Sequence, residues 1–328
     1  MSITEIWKAW DKFWFSETSP LTVAVYRVLF GLIVFLDLAM LTPDLYNFYG
    51  AHGWLSTQSV LNWTGVDGLS LFHLCPENDT FLTIVHVALL LTAASLMIGF
   101  KSRLCAFLLY LGINSYYHRD PFLLNSGDTY MRVSMFFLIF AASGRALSID
   151  KWLADKKQKT DDPARPDFDN YRSVSIWPLR LLQLVLWSVY CHTFVRKFWG
   201  ETWYDGTAVY YSSRVEDLQR FPLPFVFDQL WTINFLTYAT LALELALFTL
   251  IWVKELRYWV IGAAIIFHLT IDYHMNIPFF EYLMIISYVL FAYPQDVAWV
   301  LRKARDYLHR PKKVKTKKVK VESKSAET

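Results

Sequence analysis

The chain has 328 residues, of which 55% are hydrophobic and 18% aromatic, while only 19% are charged and the formal net charge is +3. A soluble domain carries about a quarter charged residues. Here the apolar residues fall in long blocks between short polar ones, a pattern that excludes a soluble fold. Cys75, Cys105 and Cys191 are widely spaced and form no CxxC, so neither a disulfide framework nor a structural zinc or c-type haem site is suggested.

The N-terminal MSITEIWKAWDKFW lacks the short apolar core and small-residue cleavage site of a signal peptide and reads as an interfacial amphipathic lead-in. A spanning helix needs roughly 20 mostly apolar residues. Eight segments meet or approach that length: 21–41, 81–99, 104–118, 131–147, 177–198, 233–253, 258–274 and 279–293. The expected fold class is therefore all-α, a polytopic transmembrane helix bundle of about eight spans. Lys and Arg are retained on the cytoplasmic side. The 42–80 loop has neither, whereas 100–103, 254–257 and 148–176 are basic, the last holding Lys151, Lys156, Lys157, Lys159, Arg165 and Arg172. The run RKARDYLHRPKKVKTKKVK from Arg302 to Lys320 is basic too. Both termini are thus expected inside, with only Arg214 and Arg220 of the 199–232 loop running mildly against it. Residues 1–300 are expected to form one membrane domain and 301–328 a disordered cytoplasmic tail that touches anionic lipid. No reader domain or interleaved aromatic residues accompany the tail, so no nucleic-acid partner is expected.

Charged groups at membrane depth cost several kcal/mol and mark candidate sites. With this orientation Asp37, His86, His118, Arg132, His192, Arg196, Lys197, His268, Asp272, His274 and Glu281 lie in the outer half, and Glu244 lies near the midplane. Only Arg27, Arg145 and Arg180 lie toward the inner side. An outward-facing polar cavity is the expectation. Gln183, Trp187, Tyr190, Phe194 and Lys197 recur at steps of three and four, a stripe on one helical face that ends in a lysine. His268 and Asp272 share a face, as do His192 and Arg196. The stripe reads equally as core packing, and the lysine equally as an anchor reaching outer headgroups or as a base. No spacing resembles a dedicated metal site, and no GxSxG, HExxH or P-loop occurs. The 42–80 and 199–232 loops carry many aromatic residues, including Trp54, Trp63, Trp203, Tyr204, Phe225 and Trp231. They are expected to fold over the outer mouth, with Asp44, Ser56 and Asp79 as caps of short helices.

Several stretches together resemble one family: SPLTVAVYRVLFGLIVFLDLAMLTPDLYNFYGAHGWLS (19–56), INSYYHRDPFLLNSGDTYMRVSMFFLIFAASGRALSID (113–150), WPLRLLQLVLWSVYCHTFVRKFWGETWYDGTAVYY (177–211), ELALFTL and FHLTIDYHMNIPFFEYLMIISYVLFAYP. The resemblance, over about residues 10–296, is to the HTTM family, the membrane domain shared with the vitamin K-dependent γ-carboxylase and many bacterial proteins. There a membrane lysine deprotonates reduced vitamin K; the oxygenated quinone then removes a γ-proton from glutamate, and carbon dioxide adds. That lysine follows a tyrosine by seven residues and precedes a W-x-x-G element. Tyr190, Lys197, Trp203 and Gly206 hold those places. The sequence departs from the carboxylase where Thr193 and Phe194 replace a small Ala-Gly pair and Arg196 replaces an adjacent lysine. Arg145 stands where a functional histidine precedes the S-x-D element, and His268 resembles a late FH element. The carboxylase's large lumenal domain is expected to be absent.

The resemblance implies a carboxylase-like membrane enzyme, forming a carbon–carbon bond as a lyase does, with a reduced quinone as cofactor or substrate on the outer side. Lys197, with His192 and Arg196, would be catalytic; His118, His268, Asp272 and Tyr190 would bind substrate. Two other readings stand beside it: a non-catalytic membrane partner in maturation or export of a secreted peptide, and a membrane protein that binds metal or haem. The expected location is the bacterial inner membrane.

Overall fold

The computed structural model describes residues 2–64, 68–123, 125–157 and 168–308. The fold is all-α, with a single two-residue strand pair among the described residues. In chain order the helices are α1 (Ile3–Phe15), α2 (Leu21–Leu41), α3 (Leu45–Tyr49), α4 (Thr57–Thr64), α5 (Asp79–Ile98), α6 (Ser102–Arg119), α7 (Ser126–Phe140) and α8 (Ile149–Lys157). Then follow α9 (Trp177–Phe198), α10 (Glu201–Tyr204), α11 (Ala208–Ser212), α12 (Pro224–Phe227), α13 (Leu230–Thr249), α14 (Arg257–His274), α15 (Phe280–Ser287) and α16 (Pro294–Leu308).

Eight of these helices coincide with the eight apolar segments. They pack pairwise in a closed circuit, α5 on α2, α2 on α15, α15 on α14, α14 on α13, α13 on α9, α9 on α7, α7 on α6 and α6 back on α5. The interior is filled by Tyr26, Phe30 and Leu38 from α2, Leu96 from α5, Leu109 from α6, Met131 and Met135 from α7, Leu182 and Leu186 from α9, and Met284 from α15. Gly31 lets α2 lie directly on α5, because a Cβ there would sit 2.9 Å from the Met97 backbone nitrogen. Leu32, Leu36, Leu91, Phe107 and Phe136 point outward instead. In water this would be a liability; in lipid it is the solvent-matched face.

Among the described residues three helical stretches are long and apolar enough to cross a membrane by length and composition: Leu21–Tyr49, Asp79–Ile98 and Leu230–Trp252. A fourth is reached only if the pair Phe280–Phe291 and Pro294–Leu308, bent by 113°, counts as one span. The other segments fall short for a legible reason. α7 has only 15 residues, α9 carries Arg180, Arg196 and Lys197, and α14 carries Arg257 and Asp272.

Boundaries differ most in the fourth segment, expected over 131–147. α7 starts earlier, under a capping box in which Asn125 Oδ1 accepts from the Gly127 N–H and Asp128 Oδ2 accepts from the Asn125 N–H. It stops at Phe140, and a 3-10 turn Ser143–Arg145 follows. The cause is Arg27, which is fully buried. Its Nη1 donates to Ser143 O (2.7 Å) and its Nη2 to Leu147 O (2.5 Å). Those carbonyls are thereby turned away from any helical ladder.

The N-terminal region is tied in. Glu17 and Thr18 pair antiparallel with Ser175 and Val174, and Phe13 of α1 lies under the Arg180 guanidinium at 4.5 Å. No residue of α1 is buried, and Ile3, Trp7 and Trp10 are exposed, as an interfacial helix requires. α16 runs to Leu308, past the boundary at 300 expected for the tail; residues 309–328, with most of the basic run, lie outside the described residues, as do Lys159 and Arg165.

The two aromatic loops fold into short helices, with partly altered caps. Ser56 Oγ does cap α4, accepting from the Ser59 N–H at 3.1 Å. α5 is capped by Asn78 rather than Asp79, whose Oδ1 instead accepts from the Ala51 N–H at 2.8 Å. Asp44 precedes α3 but bonds only the Asn47 side chain. Trp54, Trp63, Tyr204, Phe225 and Trp231 remain largely exposed rather than sealed over the bundle. Such amphipathic rings belong at the level of lipid headgroups.

Candidate functional site

The stripe on α9 faces the interior along its whole length, because residues three or four apart share one face. Gln183 donates to Leu290 O (2.7 Å) and accepts from Arg180 (2.9 Å). Trp187 Nε1 donates to Phe248 O on α13 at 2.8 Å, and Phe194 packs on the Phe248 ring. Tyr190 reaches α14 and α15, and Lys197 reaches α13.

Two polar groupings result. In the first, the Tyr190 hydroxyl lies 2.8 Å from His268 Nε2 and 2.5 Å from the Tyr288 hydroxyl, while His268 Nδ1 hydrogen-bonds Glu281. All four residues are buried. The bonds are mutually consistent in one direction: Tyr288 donates to Tyr190, Tyr190 donates to Nε2, and Nδ1–H donates to the carboxylate. Glu281 thereby fixes the histidine ring and leaves Nε2 as an acceptor, the orienting role a carboxylate plays behind any basic imidazole.

In the second, Lys197 Nζ is paired with Glu244 Oε1, with side-chain exposures of 26% and 5%. The lysine is one residue from the end of α9, yet its side chain leans back along the helix, since Cα–Cβ bonds tilt toward the N-terminus. That tilt turns it inward rather than to the headgroups. The Trp203 ring covers it, with Nζ 4.7 Å from the centroid. Gly206, at φ 81°, takes the left-handed conformation that turns the chain after Trp203, and Tyr238 donates to Tyr204 O beside it at 3.0 Å. Glu244 Oε2 is buried and has no hydrogen-bond partner among the described residues. Thr193 and His268 are its other polar neighbours.

The remaining expected residues go elsewhere. His192 and Arg196 are exposed. Consecutive helical residues are about 100° apart, so neighbours of Lys197 in sequence need not share its face. Asp272 accepts from Tyr282 (2.9 Å) and pairs with Arg220 (3.3 Å), which also bonds Asn276 (2.9 Å); it fastens the 199–232 loop to α14. His118 lies on α6 against Gly68 and the Tyr117 ring, away from α13 and α14. Of the seven residues singled out from sequence, the fold brings together Lys197, Tyr190 and His268. It adds Glu244, Glu281 and Tyr288, of which the two acids were visible as costly intramembrane charges but not as partners. Among the described residues no three His, Cys, Asp or Glu side chains gather as a metal site would require.

No curated protein and no solved structure matches the chain. The HTTM domain, which is found in vitamin K-dependent carboxylase-like membrane proteins, matches residues 15–296, the majority of the chain, and the chain therefore belongs to the HTTM family.

Proposed function

We propose that this protein is a carboxylase-like membrane enzyme in which Lys197, held by Glu244, takes a proton from a membrane-soluble substrate at the outer side. Family membership together with the apolar helices makes it an integral membrane protein; the enzymatic reading goes beyond that. Its main support is the free oxygen of Glu244 beside a covered lysine. A buried ion pair is a costly packing device, since an apolar pair of similar volume is often neutral or stabilising.

The residues divide the task as follows. Lys197 must be neutral to accept a proton, and the move that makes it so is short: one proton crosses a single hydrogen bond to Glu244. Low surrounding polarity penalises both charges of the ionic pair, so the neutral pair competes with it. The ammonium that then forms on Nζ is balanced by the substrate anion, because Glu244 is by then a neutral acid. Tyr190, on the same face two turns away, directs its hydroxyl proton to His268 and accepts from Tyr288, so its part is to position the neighbouring groups. Trp203 excludes water from above. A reduced quinone, the co-substrate that family resemblance suggests, would supply the acidic hydroxyl, and lyase chemistry would follow from it. The test is dioxygen-dependent oxidation of a reduced naphthoquinone by the purified protein in nanodiscs, read above the autoxidation seen with empty nanodiscs. Lys197→Met is expected to abolish it; full activity in that variant would sink the proposal.

Eight crossings with both termini cytoplasmic, in a bacterial inner membrane, complete the reading, with residues 301–328 as a cytoplasmic tail. Support comes from the agreement of eight helices with eight segments and from the one-sided loop charges. Reporter fusions in the 42–80 loop and after residue 308 should report opposite sides; the same side for both would refute it. One observation favours the non-catalytic export partner, namely the exposed outer aromatic residues Trp54, Trp63 and Phe225. If Lys197→Met keeps full activity and these positions do not tolerate alanine, that second reading takes over.

A further inference from the structure

At the other end of α9 from Lys197, where α6 begins and α7 ends, lies a cavity of 750 Å³ bordered by Lys101, Arg103, Arg145, Lys151 and Arg172. A second cavity of 340 Å³ shares Arg103, Arg145 and Arg172 with it and reaches Phe140 and Trp177. The acids nearby are already engaged. Asp150 accepts from the backbone N–H groups of Lys101 (3.0 Å) and Ser102 (3.4 Å), and Asp155 is paired with Lys151. Among the described residues none of the three arginines meets a carboxylate; Arg103 makes one long bond to Ala141 O (3.5 Å) and no more. Ser102, 3% exposed, also lines the larger cavity, and its Oγ has no partner among the described residues.

Three unneutralised guanidinium groups around one cavity repel each other unless an anion sits among them. Guanidinium is the cation whose planar fork matches a phosphate. The size is that of a small-molecule site, about 300–1,000 Å³. One further feature separates a lipid from a soluble anion. Leu104 and Phe140, which border the cavities, are 49% and 42% exposed, and Phe107 continues the apolar lane one turn along α6. A free phosphate has no use for that lane, whereas acyl chains do. The position at the helix ends is headgroup level, where basic pockets between helices take up anionic lipid.

We propose that Arg103, Arg145 and Arg172 form a binding site for the phosphate headgroup of an anionic phospholipid, whose acyl chains lie along α6 and α7. Ser102 Oγ gives the headgroup a hydroxyl partner at the floor. The site is independent of the Lys197 pair, and its occupancy does not require any catalytic activity.

The experiment is a lipid titration of the detergent-purified full chain followed by native mass spectrometry, with phosphatidylglycerol, phosphatidylcholine and inorganic phosphate as separate probes. Phosphatidylglycerol should bind, and the variant Arg103→Gln/Arg145→Gln/Arg172→Gln should bind it about a hundredfold more weakly, at about 1 kcal/mol per basic residue. Phosphatidylcholine binding should be weak and unchanged by the variant. All three arginines are exposed, so the variant should keep the parent melting temperature; if it does not, the single variants Arg145→Gln and Arg172→Gln should each show a graded loss. Equal affinity for the two lipids, or undiminished phosphatidylglycerol binding in the variants, overturns the proposal. Displacement of phosphatidylglycerol by equimolar inorganic phosphate overturns the lipid assignment.

Discussion

Removing Lys197 should destabilise the protein more than removing Lys197 and Glu244 together. Glu244 is the more buried partner, with 5% of its side chain exposed against 26% for Lys197. Lys197→Met removes the ammonium that pairs with Oε1 and leaves Oε2 without a partner among the described residues, as before. Breaking a buried pair on one side costs about 3–5 kcal/mol, whereas replacing both members by apolar residues is often neutral or stabilising. Lys197→Met/Glu244→Leu should therefore recover most of the loss. Glu244→Gln should cost less than Lys197→Met, about 1–3 kcal/mol, because the lysine stands at the helix end and can swing its ammonium to the headgroups. Thermal denaturation of the parent, Lys197→Met, Glu244→Leu and the double variant in one detergent gives the cycle, with Glu244→Gln measured beside it. Additive single and double effects, within about 0.5 kcal/mol, would refute the argument. So would a Lys197→Met protein as stable as the parent.

Three further substitutions test the frame around the site. Arg27→Gln removes the donors that hold Ser143 O and Leu147 O and should cost about 2–5 kcal/mol, at about 1–3 for each buried group left bare; an unchanged melting temperature would contradict the role given to Arg27. Gly99 ends α5 at φ 76°, and a Cβ there would lie 2.4 Å from the Ser148 Cβ. Gly99→Ala should therefore cost at least about 1 kcal/mol and lower the melting temperature. Arg220→Ala cuts the loop's ties to Asp272 and Asn276 and should raise protease cleavage between 199 and 232 without lowering the global melting temperature; unaltered cleavage would show that the loop is held by other contacts.

What could be read from the sequence follows the range of the interaction. α2 and α9 begin and end where the apolar runs do, because a long apolar segment specifies a helix from its own residues. The 131–147 segment misled because Ala141, Ala142 and Gly144 look compatible with a membrane helix, while the turn there is imposed by Arg27 from more than a hundred residues away. The α9 stripe was legible for the same local reason, being a period on one helix. Its partners were not: Glu244 and Glu281 stood out as expensive intramembrane acids, but which cation each meets depends on how α13, α14 and α15 close against α9. His192 and Arg196 drew attention by charge and by nearness to Lys197 along the chain, and helical rotation carries them to the exposed face. The aromatic loops gave a correct sign of order and an incorrect one of burial, since the argument assumed water where a bilayer interface offers Trp and Tyr a suitable surface.

Polar side chains buried in this bundle fall into two kinds, and the difference bears on function. His86 has both ring nitrogens engaged, by Thr42 at 2.9 Å and Tyr116 at 2.8 Å. Gln183 has its amide oxygen and nitrogen bound to Arg180 and Leu290. Each is saturated, so each is explained by packing: it locks a helix pair, and nothing remains to bind a ligand. Glu244 differs from these two: like Tyr26 and Arg27 it keeps one polar atom without a hydrogen-bond partner among the described residues, and of the three it alone is paired with a lysine. A bare oxygen next to a lysine is a poor solution to helix packing, as an apolar pair would serve at no electrostatic cost. In the proposed mechanism the proton from Lys197 passes to Oε1, the oxygen already bonded to Nζ. Glu281 and His268 fix the Tyr190 hydroxyl, whose proton points to Nε2. The two groupings lie on one face of α9, between the Trp203 cover and the core, and that placement supports an acid–base site over a packing motif.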